Sequence, residues 1–405
     1  PSGTQTFSKG PGQYVNGVAP KYLQRGKGSR VWDVDGNEFI DYGMGLGPII
    51  LGYAYPRVDA AIAEQLKNGI SFSLMHPLEV ELSTLIHELV PNAEMVRFGK
   101  NGSDATAGAV RLARAFTKRD LVACCGYHGW QDWHIGSTTR RAGVPAATQA
   151  LTKTFSYNDV DSLKTLFERH PGQIAAVILE PVNFVEPKDS FLEKVQELSR
   201  KNGALLIFDE VITGFRWALG GAQEYFGVTP DLATFGKALA NGMPLSAITG
   251  RAEVMRLFDE VFFSFTAGGE TLSLAAGLAT LRELREKRAL EHIWKIGTAL
   301  RDGAQDMVAK AGLSESIKLI GYGCWPEFVF PSAQVQTLFA QEIIKRGILT
   351  RPGMFVCYSH TEEDVSRTLA AFGEALQIVA DAVRAGDVEK RLEGDLIEPV
   401  IRASS

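Results

Sequence analysis

ALLIFDEV, residues 204–211, read together with LATFGK, residues 232–237, decides the fold. Five apolar residues in a row, Ala204 to Phe208, leave no solvated face. The segment therefore reads as a strand buried on both sides, and Asp209 closes it. AAVILE, residues 175–180, has the same form and also ends in a carboxylate, Glu180. Between the two lies Phe191–Lys201, an amphipathic stretch of helical period. Two continuous apolar strands joined through a helix make a βαβ unit and predict a parallel sheet. Leu232–Phe235 adds a short third strand, with Gly236 and Lys237 directly after it.

The alternation extends outward. On the N-terminal side, strand-like Leu121–Cys125 and Glu94–Phe98 flank Asp104–Lys118, where Ala107, Val110 and Ala113 share a helical face and Arg111 and Arg114 point away. Arg57–Asn68 and His76–Leu89 are two further helices. Ser29–Tyr42 reads as two short strands around Asp35-Gly36-Asn37, and the first 30 residues as an arm. From Leu272 a helical pattern runs to near Lys310, and 317–384 mixes short strands with helices. The expected architecture is α/β: a large domain over 56–285 with a mostly parallel central sheet flanked by helices, plus a smaller α+β domain formed by both termini, 1–55 and 286–405.

At 405 residues the chain exceeds the size at which one core usually stops growing, which agrees with two domains. A formal charge of −5 with no Lys/Arg block argues against a nucleic-acid partner. No apolar run approaches the roughly 20 residues that span a bilayer. Four cysteines without a C-x-x-C pair read as buried thiols of a reducing compartment. With no charged-then-apolar segment at Pro1, the expected location is the cytoplasm. No metal is expected: His87-Glu88 begins like a zinc-protease helix, but Pro91 stands where the second His belongs. Gly43-Met-Gly45-Leu-Gly47 is followed by Pro48 and opens no helix, so it fails as a dinucleotide fingerprint.

Four features converge on the predicted C-terminal edge of the sheet, where α/β folds place their ligands. Asp209 ends a buried strand, and Lys237 follows Gly236 at the end of another. Gly99-Lys-Asn-Gly102-Ser103-Asp104 joins a strand to a helix, and the amides of that helix start, with the Ser103 hydroxyl, suit a phosphate. Gly126-Tyr127-His128-Gly129-Trp130 follows the Leu121–Cys125 strand and brings an aromatic ring to the same edge. Singly, each has an ordinary reading: a capping Asp, a solvated loop Lys, a plain N-cap, a core aromatic. Together they supply what pyridoxal 5'-phosphate needs: donors for the phosphate, a face to stack on, a carboxylate for the pyridine nitrogen and an amine for the aldehyde.

The sequence resembles the class III aminotransferases among the fold-type-I pyridoxal-phosphate enzymes, especially glutamate-1-semialdehyde 2,1-aminomutase and its aminotransferase relatives. The resemblance runs from about Pro11 to Ala385 on VWDVDGNEFIDY, LGPIILGY, NGSDAT with RLARAFT, YHGWQDW, LLIFDEVITGFR, GVTPDLATFGKAL, SFTAGGETLSLAAG and SHTEEDV. It implies that Lys237 forms the Schiff base with the cofactor and that Asp209 pairs with the pyridinium nitrogen. Gly102 and Ser103 would bind the phosphate, and Tyr127 and Val211 would cover opposite faces of the ring. Thr266 would reach the phosphate of the neighbouring subunit, so a homodimer with shared active sites is implied. Glu180 and Asn183, in LEPVNF, match a segment near the ring hydroxyl and the substrate.

The resemblance leaves two activities in view. The segment before Thr266, MRLFDEVFFSF, carries no Gly/Pro/Ser-rich insert of the kind that closes the site in the aminomutases. Gly-Ser103-Asp104 stands for their usual Gly-Thr-Glu, Trp130 and Trp133 for smaller or polar residues, and Gly-Glu270-Thr271 for the family's common Gly-Asn-Pro. These departures favour an intermolecular, ping-pong aminotransferase, in sugar or specialised-metabolite synthesis, over the aminomutase. A non-catalytic relative is disfavoured because Lys237 and Asp209 are both present. For substrate, Arg351 in ILTRPG is a candidate carboxylate ligand, and Trp130, with Trp32, Trp133 and Trp217, a candidate to line an apolar or sugar-stacking pocket.

Overall fold

The computed structural model describes residues Gly3–Ile397. Their contacts divide the chain into two units: residues up to Tyr55 together with those from Arg288 onward, and Pro56–Lys287.

The first unit opens with β1 (Leu23–Lys27), β2 (Arg30–Asp33) and β3 (Glu38–Asp41), paired antiparallel in that order. The turn between β2 and β3 falls at Asp35-Gly36-Asn37, where Asp33 Oδ1 accepts the amides of Asp35 (3.0 Å) and Asn37 (2.8 Å). β1 lies inside the expected arm. It is almost wholly exposed, so it shows no apolar alternation from which a strand could be read.

The second unit is built on a seven-stranded sheet. Its strands are β4 (Met95–Gly99), β5 (Leu121–Cys125), β6 (Thr152–Thr154), β7 (Ile174–Leu179), β8 (Leu205–Glu210), β9 (Leu232–Phe235) and β10 (Ser246–Gly250), in spatial order β4-β10-β9-β8-β7-β5-β6. β6, β5, β7, β8 and β9 pair in parallel, while β10 runs antiparallel to both β9 and β4. The continuous apolar runs become the central strands because every residue of β7 and β8 is buried. Helices α1 (Pro56–Asn68), α2 (Pro77–Leu89), α3 (Gly102–Thr117), α4 (Val160–Arg169), α5 (Phe191–Lys201) and α6 (Thr271–Glu286) complete the unit, shorter helical turns aside. On one side the small face of α3 (Ala105, Ala109, Leu112, Ala113) packs on Val122, Ala176, Ile178, Ile207 and Ile248 of the sheet. Truncating one of these large residues to alanine costs roughly 2–5 kcal/mol.

The helical pattern expected without interruption from Leu272 is two helices, α6 and α7 (Ala289–Lys310). The chain breaks between them at Arg288, which takes φ 49°. The first unit then adds the hairpin of β11 (Lys318–Tyr322) and β12 (Trp325–Val329), α8 (Ala333–Lys345), β13 (Ile348–Leu349) parallel to β3, and α9 (Glu362–Ala385). All four cysteines are free thiols; Cys124, Cys324 and Cys357 are buried, and burial pushes the Cys124 thiol up to about 12. Among the described residues no helix is long and apolar enough to cross a membrane.

Candidate active site

Asp209 is the penultimate residue of β8, buried at the C-terminal edge of the parallel strands. Its Oδ1 accepts the Val211 amide at 3.1 Å and the hydroxyl of Thr234, its neighbour on β9, at 3.4 Å. Its Oδ2 lies 2.8 Å from His128 Nδ1. The other ring nitrogen of His128 lies 3.1 Å from Cys125 O, so both face oxygen acceptors. Thr106 of α3 donates to His128 O at 2.7 Å, which ties this loop to the helix. Sequence reasoning assigned His128 and Thr234 no role. His128 was visible inside the YHG block, but its contact with Asp209 depends on which strands lie side by side.

Helix α3 begins at Gly102. Asn101 and Asp104 form a reciprocal capping box: Asn101 Oδ1 takes the Asp104 amide at 3.0 Å, and Asp104 Oδ2 takes the Asn101 amide at 3.1 Å. Such a cap contributes about 1 kcal/mol. The amides of Gly102 and Ser103 have no acceptor among the described residues. They are two of the four donors a helix start leaves open, and they suit an anion. Glycine is required at 102 because a Cβ there would stand 2.9 Å from Val211 Cγ1. Val211 in turn lies next to Gly236. Ser103 Oγ accepts the Trp130 amide at 3.2 Å across Gly129, where a Cβ would come within 2.2 Å of that oxygen. Cup, aromatic loop and lysine turn are thereby packed against one another.

Lys237 opens a single helical turn after β9; it is half-buried, with φ 40°. Its charge reaches Glu180, at the end of β7. Burial and then the Asp209 charge push the Glu180 carboxyl up to about 7, against the pull of His128 and Lys237. Glu180 also accepts the amide of Tyr127. Tyr127 is 50% exposed, and burial of its inner part, then Asp209 and Glu180, raise its phenol. Asn183 uses its side-chain oxygen on the amides of Phe184 (2.6 Å) and Val185 (3.1 Å), leaving its Nδ2 to offer.

The fold therefore gathers Gly102, Ser103, Tyr127, Glu180, Asp209, Val211 and Lys237 at one sheet edge, with Asn183 just beyond Glu180. Thr266 is exposed in the loop 261–270 and makes no hydrogen bond to this group among the described residues. Trp130 is 64% exposed beside Ser103. Trp133 and Trp217 are buried, and Arg25 lies over the Trp32 ring at 3.7 Å. Arg351 belongs to the other unit, where its Nη2 donates to Gln13 Oε1 at 3.0 Å.

Two unpaired amides at a helix start, a buried strand-end carboxylate braced by a histidine and a half-buried amine together fit pyridoxal phosphate. Fold and site define a pyridoxal-phosphate enzyme of fold type I. Among solved structures, FumI of Sphingopyxis sp. MTA144 in its PLP internal aldimine form superposes with a TM-score of 0.88 at 31% identity, covering 93% of each chain. The family model "Aminotransferase class-III" matches residues 14–373, and the chain belongs to that family. Relatives include glutamate-1-semialdehyde 2,1-aminomutase 2 of Brevibacillus brevis, 39% identical over 89% of this chain and 92% of the relative. The 3-aminobutyryl-CoA aminotransferase of Cloacimonas acidaminovorans is 37% identical over 90% and 91%.

Proposed function

We propose that this chain is an intermolecular aminotransferase, moving an amino group from an amine or amino-acid donor to a carbonyl acceptor in two half-reactions. The observation that carries the choice is the loop ahead of α6. It is short and held by side chains of β4 and α3, with Arg97 donating to Phe263 O and Arg111 to Phe262 O, both at 2.9 Å. A loop pinned this way is a poor lid for retaining an intermediate. The similarity to the 3-aminobutyryl-CoA aminotransferase supports the same reading. The second reading, aminomutase, is favoured by glutamate-1-semialdehyde 2,1-aminomutases among the relatives, at 37–41% identity.

When bound, pyridoxal phosphate supplies an electrophilic aldehyde and a ring that accepts electron density. The amides of Gly102 and Ser103 hold the phosphate, and Asp209, braced by His128 and Thr234, keeps a proton on the ring nitrogen. Lys237 Nζ is the amine that would hold the aldehyde at rest. Once displaced, it takes the proton from the donor's amine-bearing carbon and later returns one to the acceptor. Tyr127 and Val211 would confine the ring, and Glu180 and Asn183 would serve its hydroxyl. Thr266 completes the phosphate site of a second copy, which makes the working unit a homodimer. An apolar stretch before and within α2 supports that assembly, with Leu74 83% and Met75 87% exposed in the single chain. For substrate contact within this unit we assign Trp130.

The deciding experiment is a visible spectrum of the purified protein with amine donors added in turn. A band at roughly 410–430 nm that moves to about 330 nm with one donor is expected and names that donor. A band that no external donor moves, with turnover of glutamate-1-semialdehyde, would establish the aminomutase instead.

A further inference from the structure

Three cations of the segment 97–111 hold one loop. Arg97 on β4, Lys100 in the following turn and Arg111 on α3 bind, in order, Phe263 O at 2.9 Å, Glu270 Oε2 at 2.8 Å and Phe262 O at 2.9 Å. The loop they hold, residues 261–270, carries Thr266. Phe263 seats on α3 at Gly108, where a Cβ would come within 2.9 Å of its ring. The two arginine contacts are exposed hydrogen bonds to backbone carbonyls.

Lys100 and Glu270 differ: their side chains are only 16% and 14% exposed. Glu270 also caps α6, accepting the Leu272 amide at 2.6 Å together with the amide and hydroxyl of Ser273. At the other end, the Lys100 amide donates to Asp104 Oδ2 at 3.1 Å, inside the capping box that presents the Gly102 and Ser103 amides. One partly buried ion pair thus joins the start of α6, the loop bearing Thr266 and the turn bearing the unpaired amides.

We propose that Lys100 and Glu270 are positioning residues for cofactor phosphates, their ion pair holding in one fixed relation the Gly102–Ser103 turn, which serves this chain's cofactor, and the Thr266 loop, which serves that of a second copy. The inference rests on the pyridoxal-phosphate reading of the site.

The test uses the full chain, stripped of cofactor, as wild type, Lys100→Met, Glu270→Gln (which keeps a capping oxygen) and the double variant. Each is titrated with pyridoxal phosphate and, separately, with unphosphorylated pyridoxal, following the visible band. Each single variant is expected to raise the dissociation constant for pyridoxal phosphate about tenfold while leaving that for pyridoxal within about twofold. The double variant should match a single one, because both remove the same contact. Lys100→Arg, which keeps the charge, should recover most of the affinity and covers the case of a poorly folding Lys100→Met. Equal weakening toward both ligands would show general loosening and overturn the proposal, as would unchanged affinity for pyridoxal phosphate or additive single effects. If the unmutated chain binds pyridoxal but gains nothing from the phosphate, the positioning role fails and the cofactor site stands. If the unmutated chain binds neither, the cofactor reading fails and this inference falls with it.

Discussion

Asp209 and Glu210 are consecutive carboxylates on β8, 4% and 0% exposed, and the pleat sends them to opposite faces of the sheet. Glu210 is saturated by its own chain. Thr213 donates its hydroxyl, and Ala222 and Gln223 donate amides at 2.6 and 2.9 Å. Gly221, at φ 85°, passes so close that a Cβ would meet the carboxylate at 2.5 Å. Asp209 has instead a histidine, one amide and a distant hydroxyl, and its wider surroundings are Glu180, Tyr127 and Lys237. Burial alone does not separate a structural acid from a chemical one. What separates them is whether the surrounding donors belong to a turn that needs fixing or are themselves groups that take and give protons.

Substitutions can break that contrast. The largest expected effect is Lys237→Ala, which removes both amine and proton carrier and should lower turnover by at least about 10³-fold, measured as product formed per folded monomer. Asp209→Asn keeps the shape and loses the charge. Turnover should fall by about 10²-fold or more while the cofactor is still captured, because in the proposed site the ring nitrogen would lose a buried ionic partner. Glu210→Gln should do the reverse. Its amide group would face the donors of Ala222 and Gln223, costing about 2–4 kcal/mol of stability, read as a lowered Tm, with kcat of the folded fraction near wild type. If Glu210→Gln silenced catalysis at unchanged Tm, the distinction between the two acids would collapse.

The smallest effect sharpens the comparison through Glu180. Because its folded pKa is raised to about 7, the folded chain holds a proton there that the unfolded chain has released. The associated stability is present in full below the ordinary carboxylate range and is lost as pH rises through about 7. In the cofactor-free protein, Glu180→Gln should therefore flatten the decline of Tm between about pH 5 and 7.5, a change of about 2–4 °C per kcal/mol. An unaltered pH profile would show that Glu180 is ionised throughout.

The parallel core and the chemistry at its edge were legible for one reason: runs such as IAAVIL and LLIF are apolar on both faces and end in charged residues. β10 was not legible. SAITG is short and small, and a doubly buried strand reads alike in either direction, so neither its presence nor its antiparallel pairing shows in the pattern. The break at Arg288 escaped because its neighbours are good helix formers and carry neither Pro nor Gly. The tryptophans were not separable for a similar reason: residue type does not say which ring is core, and only Trp130 of those considered stands largely in solvent.

The sequence by itself determined strand and helix types, the helix start that presents free amides, and the acid and lysine at strand ends, since period, run length and residue chemistry are local properties. Only the tertiary structure decided that His128 meets Asp209 across 81 residues and that Lys100 meets Glu270 across 170. Those meetings follow from strand order and register, which are settled by packing the whole sheet and its helices at once.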